Sequence, residues 1–88
     1  MIAVNQLDNL KYHYDYDHDI LYVDIGTPTL SYGDELYPGI YVNYSDANDI
    51  VTGAIIMDFL QQETSLIQQH LPINIAFDDI KRELGLNQ

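Results

Sequence analysis

The chain has no cysteine and no tryptophan, and only three of its 88 residues are lysine or arginine. Without cysteine there are no disulfides, thiolate metal sites, iron–sulfur clusters or cysteine nucleophiles, and the redox compartment stays unassigned. The three cations stand against fourteen Asp and Glu, a formal net charge of −11. That balance excludes a basic patch able to neutralise nucleic-acid phosphates, and it argues equally against adsorption to an anionic membrane. No apolar run approaches the roughly 20 residues of a membrane span, and the N-terminus lacks the charged-then-apolar pattern of a signal peptide. A cytoplasmic protein is therefore expected. The five glycines occur singly, at 26, 33, 39, 53 and 85, so no phosphate-cradling loop is present.

What remains is enough for one small domain. The hydrophobic fraction is 47%, an ordinary globular value. Leu10, Tyr12, Tyr14 and Tyr16 alternate with Lys11, His13 and Asp15, the period-2 pattern of a half-buried strand. Asp17, His18 and Asp19 supply a turn, because short polar side chains bond the local backbone there. Residues 20–25 (ILYVDI) form a second strand, stopped by Gly26 and Pro28. Residues 30–37 read as a short extended piece broken at Pro38-Gly39. Ile40, Val42 and Tyr44 mark a third clear strand, residues 45–49 a turn, and residues 50–59 the longest strand. Gly53, in mid-strand, marks a bulge or close packing. Connections this short require mainly antiparallel pairing.

The last third changes period. Leu60, Ile67 and Leu71 fall on one side of a helix over about residues 60–71, with Gln61, Gln62 and Gln68 outside and Pro72 as its stop. After a brief alternation at Ile73, Ile75 and Phe77, a second helix carries Phe77, Ile80 and Leu84 on one face. Asp78 and Asp79 lie in its first turn, Lys81 and Arg82 lie later, and Gly85 follows as C-cap. The expected fold is α+β: an antiparallel sheet of about four strands followed by one or two short helices. Residues 1–9 have no clear period and form an arm in which Ile2 and Val4 suit a short edge strand.

Strict alternation in the longest strand puts Val51, Ile55, Met57 and Phe59 on one face and Ile50, Ala54 and Ile56 on the other. Both faces are apolar, so the strand should be central and covered on both sides. The helices can cover one side, and a second copy of the sheet is the economical cover for the other. Val51, Ile55, Met57 and Phe59 are accordingly the candidate interface residues.

Several short motifs fall in a familiar order: Tyr14-Asp15, Asp19-Ile20-Leu21-Tyr22, Tyr32 before Asp34-Glu35, Pro38-Gly39-Ile40 with Val42, Ile50-Val51-Thr52-Gly53, and Asp58. In this order and spacing the chain resembles the small prokaryotic family termed domain of unknown function 2283, over about residues 12–59. The resemblance implies a small β-rich fold and no established activity. Two departures stand out. Ile55 occupies a position where the family usually has an acidic residue, and Ser45 separates Tyr44 from Asp46 where the family reads Tyr-Asp directly. Any chemistry of that acid is lost here, and the strand gains packing surface.

Candidate sites are few. Asp15, Asp17 and Asp19, with His18, are weak candidates for a hard cation. An EF-hand loop needs Gly next and a Glu seven positions beyond the last Asp, where this chain has Ile20 and Gly26. A solvated hairpin turn is the simpler reading. His13, His18 and His70 show no metal-ligand spacing. Asp34, Glu35 and Asp58 lie near strand ends, but among fourteen acids such proximity is expected by chance. Ser31, Ser45 and Ser65 lack a nucleophile context. The eight tyrosines suit both a half-buried sheet and a contact surface.

Two classes of function follow. The first is a non-enzymatic acidic interaction module, either a homo-oligomer or a cover for a basic protein in the manner of an antitoxin. The second is a small enzyme or divalent-cation-binding protein using the Asp15–Asp19 turn or Asp34-Glu35. The first is favoured, because 88 residues form a pocket only with difficulty. No residue set points to a catalytic site or a cofactor.

Overall fold

A computed structural model describes residues 10–85. The proposed N-terminal arm and its Ile2–Val4 edge strand lie outside those residues. Five strands form one antiparallel sheet: β1 (Leu10–Asp15), β2 (Ile20–Ile25), β3 (Ser31–Tyr37), β4 (Ile40–Ser45) and β5 (Val51–Met57). Their order is β1-β2-β5-β4-β3, so β5 is central. A 3₁₀ turn (Phe59–Gln61) and two short helices, α1 (Thr64–Gln69) and α2 (Phe77–Leu84), follow. The fold is α+β with antiparallel pairing, as expected, but with five strands rather than four. The added strand is the 30–37 piece. Every residue of β3 except Leu36 is exposed because it is an edge, so burial imposes no period on its sequence.

The core lies between one sheet face and the helices. Leu21 and Val23 of β2, Ile40 and Val42 of β4, and Ala54 and Ile56 of β5 are fully buried there. Phe59, Ile67, Phe77 and Ile80 meet them from the C-terminal third. Burying a side chain of this size contributes about 1.5–3 kcal/mol, and Leu21, Ile56 and Phe59 are each fully buried.

The helical third departs from a single helix over 60–71. Asp58 turns into the left-handed region (φ 54) and ends β5, while Gln62 is extended (φ −107, ψ 142). The chain thus makes one 3₁₀ turn and restarts at Thr64. The segment carrying Ile73 and Ile75 is irregular. Its backbone is held by Gln68, whose Oε1 accepts from Ile75 N at 2.9 Å and whose amide donates to Ile73 O. The side chain placed outside by sequence periodicity therefore works inside. Helix α2 matches its reading: Asp78 and Asp79 open it, Lys81 and Arg82 close it, and Gly85 caps it at φ 75.

Strict alternation in β5 is broken. Asn43 pairs with Gly53, but the next pair is Tyr44 with Val51, so β5 carries an extra residue at Thr52. Val51 consequently packs on the core side with Ala54 and Ile56. Ile55 and Met57 occupy the other face, level with Tyr22 and Ile20 of β2. Phe59 has left the strand and is fully buried. The face expected to hold Val51, Ile55, Met57 and Phe59 together is thereby corrected: the bulge and the Asp58 turn divide the set two and two. Gly53 itself is required. A Cβ there would stand 2.2 Å from the Val23 carbonyl oxygen, a backbone atom that has no freedom to retreat.

Replacing Gly53 with Ala should cost at least about 2 kcal/mol, since the clash falls on a central strand pair. Urea unfolding of the variant measures it, and an unchanged midpoint would contradict the close approach.

Candidate functional site

The acidic turn is the densest polar cluster, and its carboxylates are taken up by the fold. Asp15 Oδ1 accepts from the backbone N–H of Asp17 at 3.0 Å and of His18 at 3.3 Å, and Oδ2 lies 2.9 Å from His18 Nδ1. These contacts, the imidazole first, hold the Asp15 carboxyl below its ordinary range. Asp19 adopts the left-handed conformation (φ 55). Its carboxylate accepts from Tyr14 Oη at 2.6 Å and from Leu60 N at 3.0 and 3.1 Å. Asp19 O also accepts from Phe59 N at 3.0 Å. One residue thus ties the β1–β2 turn to the 3₁₀ turn that leads into the helices. Asp15 and Asp19 serve different partners, and no group of three His, Asp or Glu among the described residues converges to hold a metal ion.

The other titratable candidates are dispersed. Asp34 and Glu35 are neighbours on β3 and point to opposite faces, Asp34 level with Val42 and Glu35 level with Tyr41. Asp58 is exposed at the end of β5. His13 is on the outer sheet face against Tyr22, His18 is in the acidic turn, and His70 ends α1, stacked on Tyr37 at 4.1 Å. A cleft of about 390 Å³ lies beside α1 and the start of α2, where Thr64 Oγ1 donates to Asp78 at 2.7 Å. That contact joins the two helices across the cleft.

The outer sheet face is different. Cross-strand register aligns His13, Tyr22, Ile55, Tyr41 and Glu35 in one row, from β1 through β2, β5 and β4 to β3. Asp15, Ile20 and Met57 form the next row. Tyr22 is 36% and Met57 38% exposed, and both helices pack on the opposite face. The Glu35 carboxylate pushes the neighbouring Tyr41 phenol up, chiefly through its charge. At one end this face carries a step. Residues 26–30 cross from β2 to β3 past β5 and β4, about 14 Å over three strand spacings. With Asn43 and Thr52 of the outer face they enclose a polar cavity of about 170 Å³. Ser31 Oγ bonds Thr52 Oγ1 at 2.8 Å beneath the crossing.

Of the sequence-derived interface residues, Ile55 and Met57 belong to this face, whereas Val51 and Phe59 belong to the core. Tyr22, Tyr41 and Ile20 complete the face. Their alternation was visible in the sequence, but their shared row required the register of β5.

Tyr14, buried against Phe59, tests the tie that Asp19 makes between the two turns. Burial, the hydrogen bond to Asp19 and the charge of Asp19 push its phenol up to about 12, against about 10 in an unfolded chain. The folded state holds this proton more tightly, so the stabilisation is complete below pH 10 and is lost as pH rises from about 10 to about 12. The loss is steepest near pH 11, at about 1 kcal/mol per pH unit for the one group. Tyr14→Phe should lower stability by about 1–2 kcal/mol at pH 7 and make the alkaline slope shallower. Denaturant melts at pH 8 and 11 measure both, and parallel slopes would refute the coupling.

No family model, curated protein or solved structure matches this chain. No helix among the described residues is long and apolar enough to cross a membrane.

Proposed function

We propose that this protein is a non-enzymatic acidic interaction module whose working surface is the outer face of its sheet, opposite the described helices, covered by a second copy of the chain. One observation carries the reading. An antiparallel sheet with one solvated face normally shows polar residues there. Here the three central strands present Ile20, Tyr22, Ile55, Met57 and Tyr41. A contiguous apolar patch rimmed by His13, Asp15 and Glu35 has the anatomy of a contact surface. The separation of Asp34 from Glu35 and the internal use of Asp15 and Asp19 support the non-catalytic side of the reading.

The resemblance to domain of unknown function 2283 fits the same picture. Ile55, which stands where that family usually has an acid, lies at the centre of the patch and raises its apolar character. A basic protein partner is the second reading, favoured by the net charge of −11, which accelerates encounter with a cationic surface.

Sedimentation velocity at tens of micromolar should show a dimer. Ile55→Lys should raise the dimer dissociation constant roughly a hundredfold, because two unpaired ammonium groups would enter an apolar contact, while the monomer keeps its β-type circular dichroism. A monomeric wild-type protein, or a dimer indifferent to Ile55→Lys, would overturn the assignment.

A further inference from the structure

We propose that the second copy docks antiparallel, about a two-fold axis lying in the plane of contact and running across the strands, so that β1 faces β1 and β5 faces β5 in opposite directions. The inference rests on the outer face being the surface of self-contact, and two independent features select the axis.

The first is the charge polarity of β1. Its outer-face positions are Lys11, His13 and Asp15, and exposed Asp17 follows in the turn. The strip is cationic at one end and anionic at the other. Lys11 is the only lysine or arginine before residue 81. Laid end-for-end on its own copy, the strip sets Lys11 over Asp17 and His13 over Asp15, each contact occurring twice. Packed sheets cross at about 30°, which shifts β1, roughly 10 Å from β5, by about 5 Å. A lysine side chain spans that shift. On the central strands the same axis places Ile20 over Tyr22 and Met57 over Ile55, while Asp24 of β2, level with Lys11, comes over His18 at the end of the patch and outside the apolar rows.

The second is the step made by residues 26–30 beside Asn43 and Thr52. An axis parallel to β5 would bring both steps to the same end, one against the other, and hold the apolar rows apart. An axis across the strands sends the steps to opposite ends, each beyond the open end of the other sheet, and lets the apolar rows close. Shape and charge therefore choose the same arrangement.

Charge exchange tests it, because Lys11, His13, Asp17, Glu35 and Arg82 are all exposed and their replacement spares the core. Lys11→Glu should raise the dimer dissociation constant about tenfold, as a rim contact of modest strength is reversed at two symmetric places. Arg82→Glu, an equal change of charge on α2, should leave it within about threefold. Adding Asp17→Lys to Lys11→Glu in one chain should restore wild-type dimerisation to within about threefold. Thermal melts followed by circular dichroism confirm that each variant is folded. An axis parallel to the strands sets His13 over Glu35 instead. If Asp17→Lys fails to rescue while Glu35→Lys rescues His13→Glu, the antiparallel geometry is wrong and self-association stands. A wild-type monomer removes both.

Discussion

The bulge at Thr52, next to the close approach of Gly53 to the Val23 carbonyl, decides which residues of β5 face the core and which face outward. Two backbones approach closer there than any Cβ permits, and the extra residue at Thr52 is taken up in the same step. Everything on β5 before the bulge is reversed relative to strict alternation. Val51 turns to the core, and Ile55 and Met57 stay outside. Had the strand run without a bulge, Val51 would join the outer patch and the core would lose a packing residue beside Tyr44. The bulge thus fixes both the hydrophobic core and the composition of the exposed face.

Asp19 supplies the second constraint. A left-handed aspartate at the close of the β1–β2 turn presents one carboxylate to a tyrosine hydroxyl and to a backbone amide of the 3₁₀ turn. The sheet and the helical third are joined by this group and by Tyr12 of β1, which bonds Glu83 at the end of α2. Both anchors pair an acid with a phenol. This explains in part why a chain with fourteen acids and three cations folds: several acids find neutral donors, tyrosine hydroxyls and backbone amides, where cations are lacking. Charge-assisted bonds of that kind are among the stronger hydrogen bonds.

Sequence patterning reached the local features and stopped at the paired ones. Residues 20–25 coincide with β2 because alternation and the Gly26 stop are both local, and α2 is legible because its acids, bases and Gly85 follow the helix dipole. Gly53 flags its bulge, but which flanking residues the bulge turns depends on the pairing with Asn43 and Tyr44 of the neighbouring strand, which no local period shows. In the sequence Phe59 reads as strand, because nothing in an apolar run shows that Asp58 adopts a left-handed turn. Gln68 looked like surface because its partners, Ile73 and Ile75, are made only once the chain doubles back. The candidate face is half legible: a side of β5 left for something other than the helices to cover follows from its two apolar faces, whereas the row linking His13 to Glu35 exists only across five strands.

A net charge of −11 opposes association of identical chains, so the position of the acids matters more than their number. On the outer face the acids sit at the margins: Asp15 and Asp24 on the β1–β2 side and Glu35 on β3. The middle of the patch is Ile, Tyr and Met. Of the marginal acids, Asp15 is already engaged by His18, and Glu35 accepts from Gly39 N at 3.2 Å. Repulsion between copies is then long-range and subject to screening within about 10 Å at ordinary salt, while apolar burial acts at contact and is little affected by that screening. Like charge of this distribution slows encounter and disfavours misaligned pairings without entering the apolar centre. It leaves the alignment of the one basic strip, Lys11 and His13, as the term that distinguishes one docking direction from the other.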